Sequence, residues 1–431
     1  MNMKELAYYA LDSLKKAGAD KAVCRVGKGR TDEFNVEANE FTLLRTLFND
    51  GISLKALVNN RKGTVSINKL EKDAVDKAVA ECIEMAKMAN PDEAEDIAPK
   101  SENKSFSFLM DNPDIDKLFG RSKEFMEQVK DEYPKIILES LTAVYSKGES
   151  YFINSNGVEY FYESDNYNVG SGFVAKDGEK SSSMNWYGTT QKSLDNPLMN
   201  IGLQRQLLDE SVKGINARNL DGKFVGKIIV SPLASDMVWG TMVGCFLSEW
   251  ALLQGTSRWK DALNTKVVDE NLTFSCLPFH PAIINGERYT GDGFLSQDMD
   301  FIKDGVLKSF SLSLYGANKT GKPRSLNNGG SWYIKPGEKS LDEMIKSIDK
   351  GIILNRFSGA SPGPSGDVSG VAKNSFLIEN GKITDAINET MVSFNVVDVL
   401  QNISAISKDV LADGGSILPW CMLDGVTVSG K

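Results

Sequence analysis

Residues 224–253 read Phe224-Val225-Gly226-Lys227-Ile228-Ile229-Val230, then SPLASDMVWGTMVGCFLSEWALL to Leu253, and this stretch decides the fold. Its opening residues are β-branched and apolar, the composition of a buried strand. Ser231 before Pro232 is a helix-start signal, because proline at the first helical position loses only an amide that has no helical partner there. The apolar run Met237 to Leu253 is interrupted by Glu249 and preceded by Asp236, so it falls short of a bilayer-spanning segment. It reads as one long helix in a protein core. Gly240 and Gly244 have the spacing that lets helices approach closely, and they mark either such packing or a break in the helix.

Toward the C-terminus, Asp304-Gly305 and Asn380-Gly381 are two-residue turn signals, which imply antiparallel hairpins. Few helical patterns follow Asp261, Leu341 to Lys350 being the exception. Toward the N-terminus, Leu6, Ala10, Leu14 and Ala17 recur at helical spacing before Gly18, predicting a helix over 3–17. Ala22–Val26, Glu33–Phe48 and Ile52–Val58 have strand composition, with Asn49-Asp50-Gly51 read as the hairpin turn between the last two. A second amphipathic helix spans about Lys69 to Met88. Residues 90–104 are polar and acidic, as in a connector. Beyond it the pattern gives a helix over Ile115–Val129, strands from Ile136 to Tyr187 with a turn at Asn154-Ser155-Asn156-Gly157, and a helix near Met199–Val212. The expected fold class is α+β. An N-terminal domain (1–89) of antiparallel strands with flanking helices leads through a linker (90–104) to a central α+β segment (105–220) packing against it. A β-rich C-terminal domain (221–431) holds the buried helix. Neither a Rossmann nor a TIM-barrel alternation is present.

The composition, 41% hydrophobic and 25% charged over 431 residues, is that of a globular protein. A net charge of -9 argues against direct nucleic-acid binding. The first residues run into a periodic helix without the pattern of a signal peptide, so a cytoplasmic, non-membrane protein is expected. Five scattered cysteines without a CxxC pair suggest neither disulfides nor a structural zinc site, and buried free thiols are expected. The chain has a single histidine, His280. A catalytic zinc takes about three protein ligands, usually with two or three imidazoles among them, and this chain cannot supply them.

Several segments together resemble the TldD/PmbA family, historically called modulators of DNA gyrase. They are Ala17-Gly18-Ala19-Asp20, Gly51-Ile52-Ser53-Leu54, Asn154-Ser155-Asn156-Gly157, Asp300 to Leu307, Gly366-Asp367-Val368-Ser369-Gly370, Phe376 to Gly381, and Ile403 to Asp409. The resemblance implies a metallopeptidase fold used in two related subunits. The TldD type carries an HExxxH-like helix, whose histidines and a later cysteine bind zinc and whose glutamate is the general base. The PmbA type, also called TldE, lacks these ligands. Aligned on Gly255-Thr256-Ser257, the first histidine falls on Gly240, the glutamate on Thr241, the second histidine on Cys245 and the later cysteine near Gly414. A threonine hydroxyl cannot act as general base toward a zinc-bound water at neutral pH. His280 cannot rescue the site in any register, since it lies 35 positions beyond Cys245.

The resemblance therefore implies a PmbA/TldE-like chain with no catalytic residues and no metal of its own. Its zinc would be in a TldD-like partner, and its substrates would be peptides or unfolded small proteins. The alternative is a homodimeric peptide-binding protein with a degenerate protease site. Cys245 reads as either a buried side chain or a cleft-lining thiol, and His280 as a loop residue packed on Phe279 and its neighbouring prolines. The segment Ser358 to Asp367 lacks the Gly-Lys-Ser/Thr ending of a phosphate loop and is expected beside the substrate cleft. Asp367 and Ser369 would there be peptide contacts, turn capping being the other reading.

Overall fold

The computed structural model describes residues 1–360 and 362–430. Helix α1 (Met3–Lys16) starts at a reciprocal cap, with Asn2 accepting from the Glu5 amide and Glu5 from the Asn2 amide. Strand β1 (Lys21–Glu37) is a single 17-residue strand. The chain reverses at Ala38 and Asn39, both at positive φ, into β2 (Glu40–Phe48). The next strand, β3 (Gly51–Val58), pairs with β1 and not with β2. Asn49-Asp50-Gly51 is thus not the expected hairpin turn. It joins two collinear strands that run back along β1, and the Asn49 amide bonds the Gly29 carbonyl at 2.9 Å. The true hairpin was hidden inside the predicted strand Glu33–Phe48, because Ala38-Asn39 carries no Gly to mark it.

A second reversal at Asn59-Asn60 leads to β4 (Arg61–Ile67) and then α2 (Lys72–Met88). The remaining strands of this sheet are β5 (Lys104–Phe108), β6 (Ile136–Asn154), β7 (Glu159–Asp177), the short β8 (Lys180–Ser181) and β9 (Asn185–Gln191). They form a nine-stranded sheet of order β4-β3-β1-β6-β7-β5, with β2 on β1 and both β8 and β9 on β7. Ala22, Cys24, Val26, Phe34 and Val36 of β1 are buried on one face, as the two-residue period of a strand requires. That face is covered by α1 and α2 at one end, and by α3 (Ile115–Glu132) and α4 (Gln204–Gly214) at the other.

The acidic connector is packed rather than solvated. Ala94, Glu95, Ile97 and Ala98 are buried. Glu95 lies between Lys55 and Lys62, while Asp92 pairs with Lys319 at 2.9 Å, tying the segment to both halves of the chain.

After the two-residue β10 (Arg218–Asn219), β11 (Lys223–Val230) enters the second sheet. It pairs in parallel with Lys350–Leu354 and antiparallel with Ile417–Ser429. The Asp304-Gly305 and Asn380-Gly381 turns have positive φ at both residues and close antiparallel pairs, as predicted. Besides Leu341–Lys346, two short helices that the sequence did not mark, Leu314–Thr320 and Val396–Leu400, follow Asp261. Among the described residues no helix is long and apolar enough to cross a membrane.

Candidate functional site

The buried helix predicted after β11 is present but is not a uniform α-helix. It begins as α5 (Asp236–Met242) and widens into a π-helical turn, Val243–Leu247. The turn closes with the Ser248 amide bonded to the Val243 carbonyl at 2.8 Å. Ser248 then takes extended geometry (φ -68, ψ 148) and caps α6 (Glu249–Leu253). The break falls at Ser248 and not at the glycines. A Cβ on Gly244 would meet nothing within 4 Å, so no helix packs closely there, and the nearest atoms to a Cβ on Gly240 belong to Asp236 of its own helix. Inward, Trp239, Met242 and Phe246 enter the core, with Trp239 stacked 6.0 Å from Phe274.

The π turn alters what this helix presents. Positions five apart lie about 140° apart around a regular α-helix, so Gly240 and Cys245 would face different directions. The π turn, which begins only at Val243, takes up part of that offset. Both residues line one cleft of about 620 Å³. Asp236, Met237 and Thr241 share the helix wall; Trp186 from β9 and the strand Arg356–Gly359 form the other, and Trp250 stands at the rim. Trp186 and Trp250 are 51% and 62% exposed, so aromatic faces are open to a ligand.

The helix wall supplies few metal-binding groups. Gly240 has no side chain. Thr241 is buried and its hydroxyl donates to the Met237 carbonyl at 2.7 Å, so it is spent within the helix. Cys245 is half-buried rather than fully buried, as the cleft-lining reading requires. Its Sγ donates to the Gly363 carbonyl at 3.4 Å, and burial raises its pKa, which disfavours the thiolate. One thiol with one nearby carboxylate does not make the three-ligand set zinc needs. Among the described residues no three His, Cys, Asp or Glu side chains converge as donors.

The other predicted positions fall elsewhere. Gly414 sits at φ 90 in the turn Asp413–Ser416, where a Cβ would come within 2.5 Å of the Thr190 carbonyl; it does not line the cleft. Nor do Asp367 and Ser369. Asp367 accepts from Asn395 and Ser365, each at 2.8 Å, bonds that hold its carboxyl below the usual carboxylate range. Ser369 is exposed on Asp367–Lys373, the strand beside Arg356–Gly359. Gly359, Ala360, Pro362 and Pro364 of the predicted loop do line the cleft, while Ser361 lies outside the described residues. His280 stacks on Tyr333 at 5.8 Å and accepts the Ala282 amide on Nδ1, away from the cleft.

Arg356, Trp186, Trp250 and Asp236 were not singled out in the sequence. The alternation Asn185-Trp186-Tyr187 could have placed Trp186 outward, since Asn185 and Tyr187 are buried on the opposite face. Nothing local marks Arg356. It is 5% exposed, its Nε donates to Asn185 Oδ1 at 3.2 Å, its Nη2 donates to the Trp186 carbonyl, and its guanidinium lies 4.1 Å from the Trp186 ring centroid. Burial pulls its pKa down to about 10, opposed by the charge of Glu210. Burial in turn pushes the Glu210 carboxyl up to about 7, against a hydrogen bond from Gln206.

Comparison with known proteins agrees with this architecture. The family model described as PmbA/TldA metallopeptidase C-terminal domain matches residues 223–430, and PmbA/TldA metallopeptidase domain 1 matches residues 22–86. A Haemophilus influenzae protein named metalloprotease PmbA homolog is 22% identical, covering 100% of this chain and 96% of its own length. The crystal structure of TldE from Thermococcus kodakarensis matches with a TM-score of 0.84 at 20% identity, over 99% of this chain and 100% of that one. A candidate modulator of DNA gyrase from Bacteroides thetaiotaomicron matches with a TM-score of 0.89 at 22% identity, over 99% of both chains. With the fold shared end to end and the two domain models together matching well over half of its residues, the chain belongs to the PmbA/TldD family of metallopeptidase-related proteins.

Proposed function

We propose that this chain is the non-zinc, PmbA/TldE-like subunit of a heteromeric peptide-processing protease. The observation that carries the reading is the helix wall. Gly240, Thr241 and Cys245 line a cleft in this fold, yet they supply one thiol and no imidazole or free carboxylate at the three positions. Zinc, general base and reacting water then belong to a TldD-like partner, and this subunit helps to enclose the peptide. Such a cytoplasmic protease would affect gyrase indirectly, through a peptide that acts on it, since the net charge of -9 does not suit DNA.

The purified chain is expected to hold no stoichiometric zinc by elemental analysis and to cleave no peptide alone. Adding the zinc-bearing relative from the same host is expected to restore cleavage. Zinc and activity in the isolated chain would overturn the reading, and peptide binding without cleavage in the presence of the relative would favour a homodimeric binding protein instead.

A further inference from the structure

Among the described residues lining the cleft, Arg356 is the only cation, and no carboxylate is among its hydrogen-bond partners. Its partners are the Asn185 side-chain oxygen, the Trp186 carbonyl and the Trp186 ring, all neutral. Glu210 compensates it only from a distance. That carboxylate is occupied by Asn355 Nδ2 at 2.9 Å and Gln206 Nε2 at 2.8 Å, and burial disfavours its charge. A guanidinium taken out of water without an anion is costly, and the cost is offset when an anion binds. Nη1 makes no hydrogen bond among the described residues, so one edge of the fork is open.

We propose that Arg356 is the carboxylate-binding group of this cleft, and that it takes a peptide through its C-terminal carboxylate or an acidic side chain. The open edge, Nη1 with the second Nη2 proton, suits two-point pairing with a carboxylate. Asp236 on the helix wall repels a second anion, so the carboxylate enters on the strand wall. The exposed faces of Trp186 and Trp250 flank the residues that precede it. The proposal rests on the reading of the cleft as a peptide site.

The test is calorimetric titration of the full chain with four versions of one neutral hexapeptide: free C-terminal carboxylate, C-terminal amide, amide with an internal Glu, and amide with an internal Gln. At least one carboxylate peptide is expected to bind about tenfold or more tighter than its neutral counterpart, and the pair that discriminates identifies the source. Arg356→Lys keeps the charge without the fork and should shrink the ratio. Because that variant can fail to fold, Glu210→Gln is measured beside it; removing the competing charge should tighten the carboxylate peptide and leave the amide unchanged. Equal binding of all four peptides, or an unchanged ratio in both folded variants, overturns the carboxylate site while leaving a peptide cleft. No binding by any peptide overturns the cleft reading and the proposal with it.

Discussion

The carboxylate of Asp236 lies across Gly240, one helical turn ahead: a Cβ on Gly240 would sit 2.3 Å from Asp236 Oδ1. The space beside Gly240 is thus filled by a carboxylate from the preceding turn. Asp236 is exposed and can rotate away. Gly240→Ala should therefore be tolerated and gain the ordinary helix advantage of alanine, about 0.5–1 kcal/mol. Urea unfolding measures this; a loss above about 1 kcal/mol would mean the Asp236 orientation is fixed by the fold.

Gly63 of β4 meets α2 so closely that a Cβ would lie 2.0 Å from the Cys82 carbonyl and 2.7 Å from the Ala86 amide. Both obstacles are backbone, so Gly63→Ala has to push the helix off the sheet. The cost should exceed about 2 kcal/mol. A thermal midpoint equal to that of the parent protein would contradict this close approach.

Glu95 is buried between two lysines in the connector. Replacing it by alanine leaves Lys55 and Lys62 without their anion but partly solvated, so a loss of about 1–2 kcal/mol is expected. The clearer readout is limited proteolysis, where cleavage between residues 90 and 103 should accelerate in Glu95→Ala.

Glu210 gives stability a pH dependence of definite sign. Its folded pKa of about 7 lies above the ordinary carboxylate value because burial disfavours its charge. The folded state therefore binds this proton more tightly than the unfolded state. The contribution is complete below about pH 4.5 and is lost as pH rises toward 7, by on the order of 2–3 kcal/mol. Glu210→Gln should flatten the stability profile between pH 5 and 8, which chemical denaturation across that range would reveal. An unchanged slope would show that Glu210 is not the group responsible.

Much of the architecture was legible because it follows local rules. The helices at 3–16 and 115–132 follow their apolar spacing and caps, and the Asp304-Gly305 and Asn380-Gly381 turns follow from residues that tolerate positive φ. The misread hairpin at Asn49-Asp50-Gly51 came from the same rule, since a turn signal there marks a joint between collinear strands, and strand partners are chosen by the whole sheet. The two-residue alternation could have placed Trp186 outward, but no local pattern could have brought it to Arg356, which is 170 residues away in sequence.

By itself the sequence determined how many imidazoles the chain can offer: residue types do not depend on packing, and one histidine cannot provide two imidazole ligands wherever it sits. It also determined the α+β class, through periodicities that each segment carries internally. Only the tertiary structure decided what the cleft contains. The π turn in the helix wall is a matter of backbone hydrogen bonding, and the opposite wall is assembled by two sheets meeting. The burial that strips Arg356 of solvent likewise exists only once β9 and the strand Arg356–Gly359 are packed together.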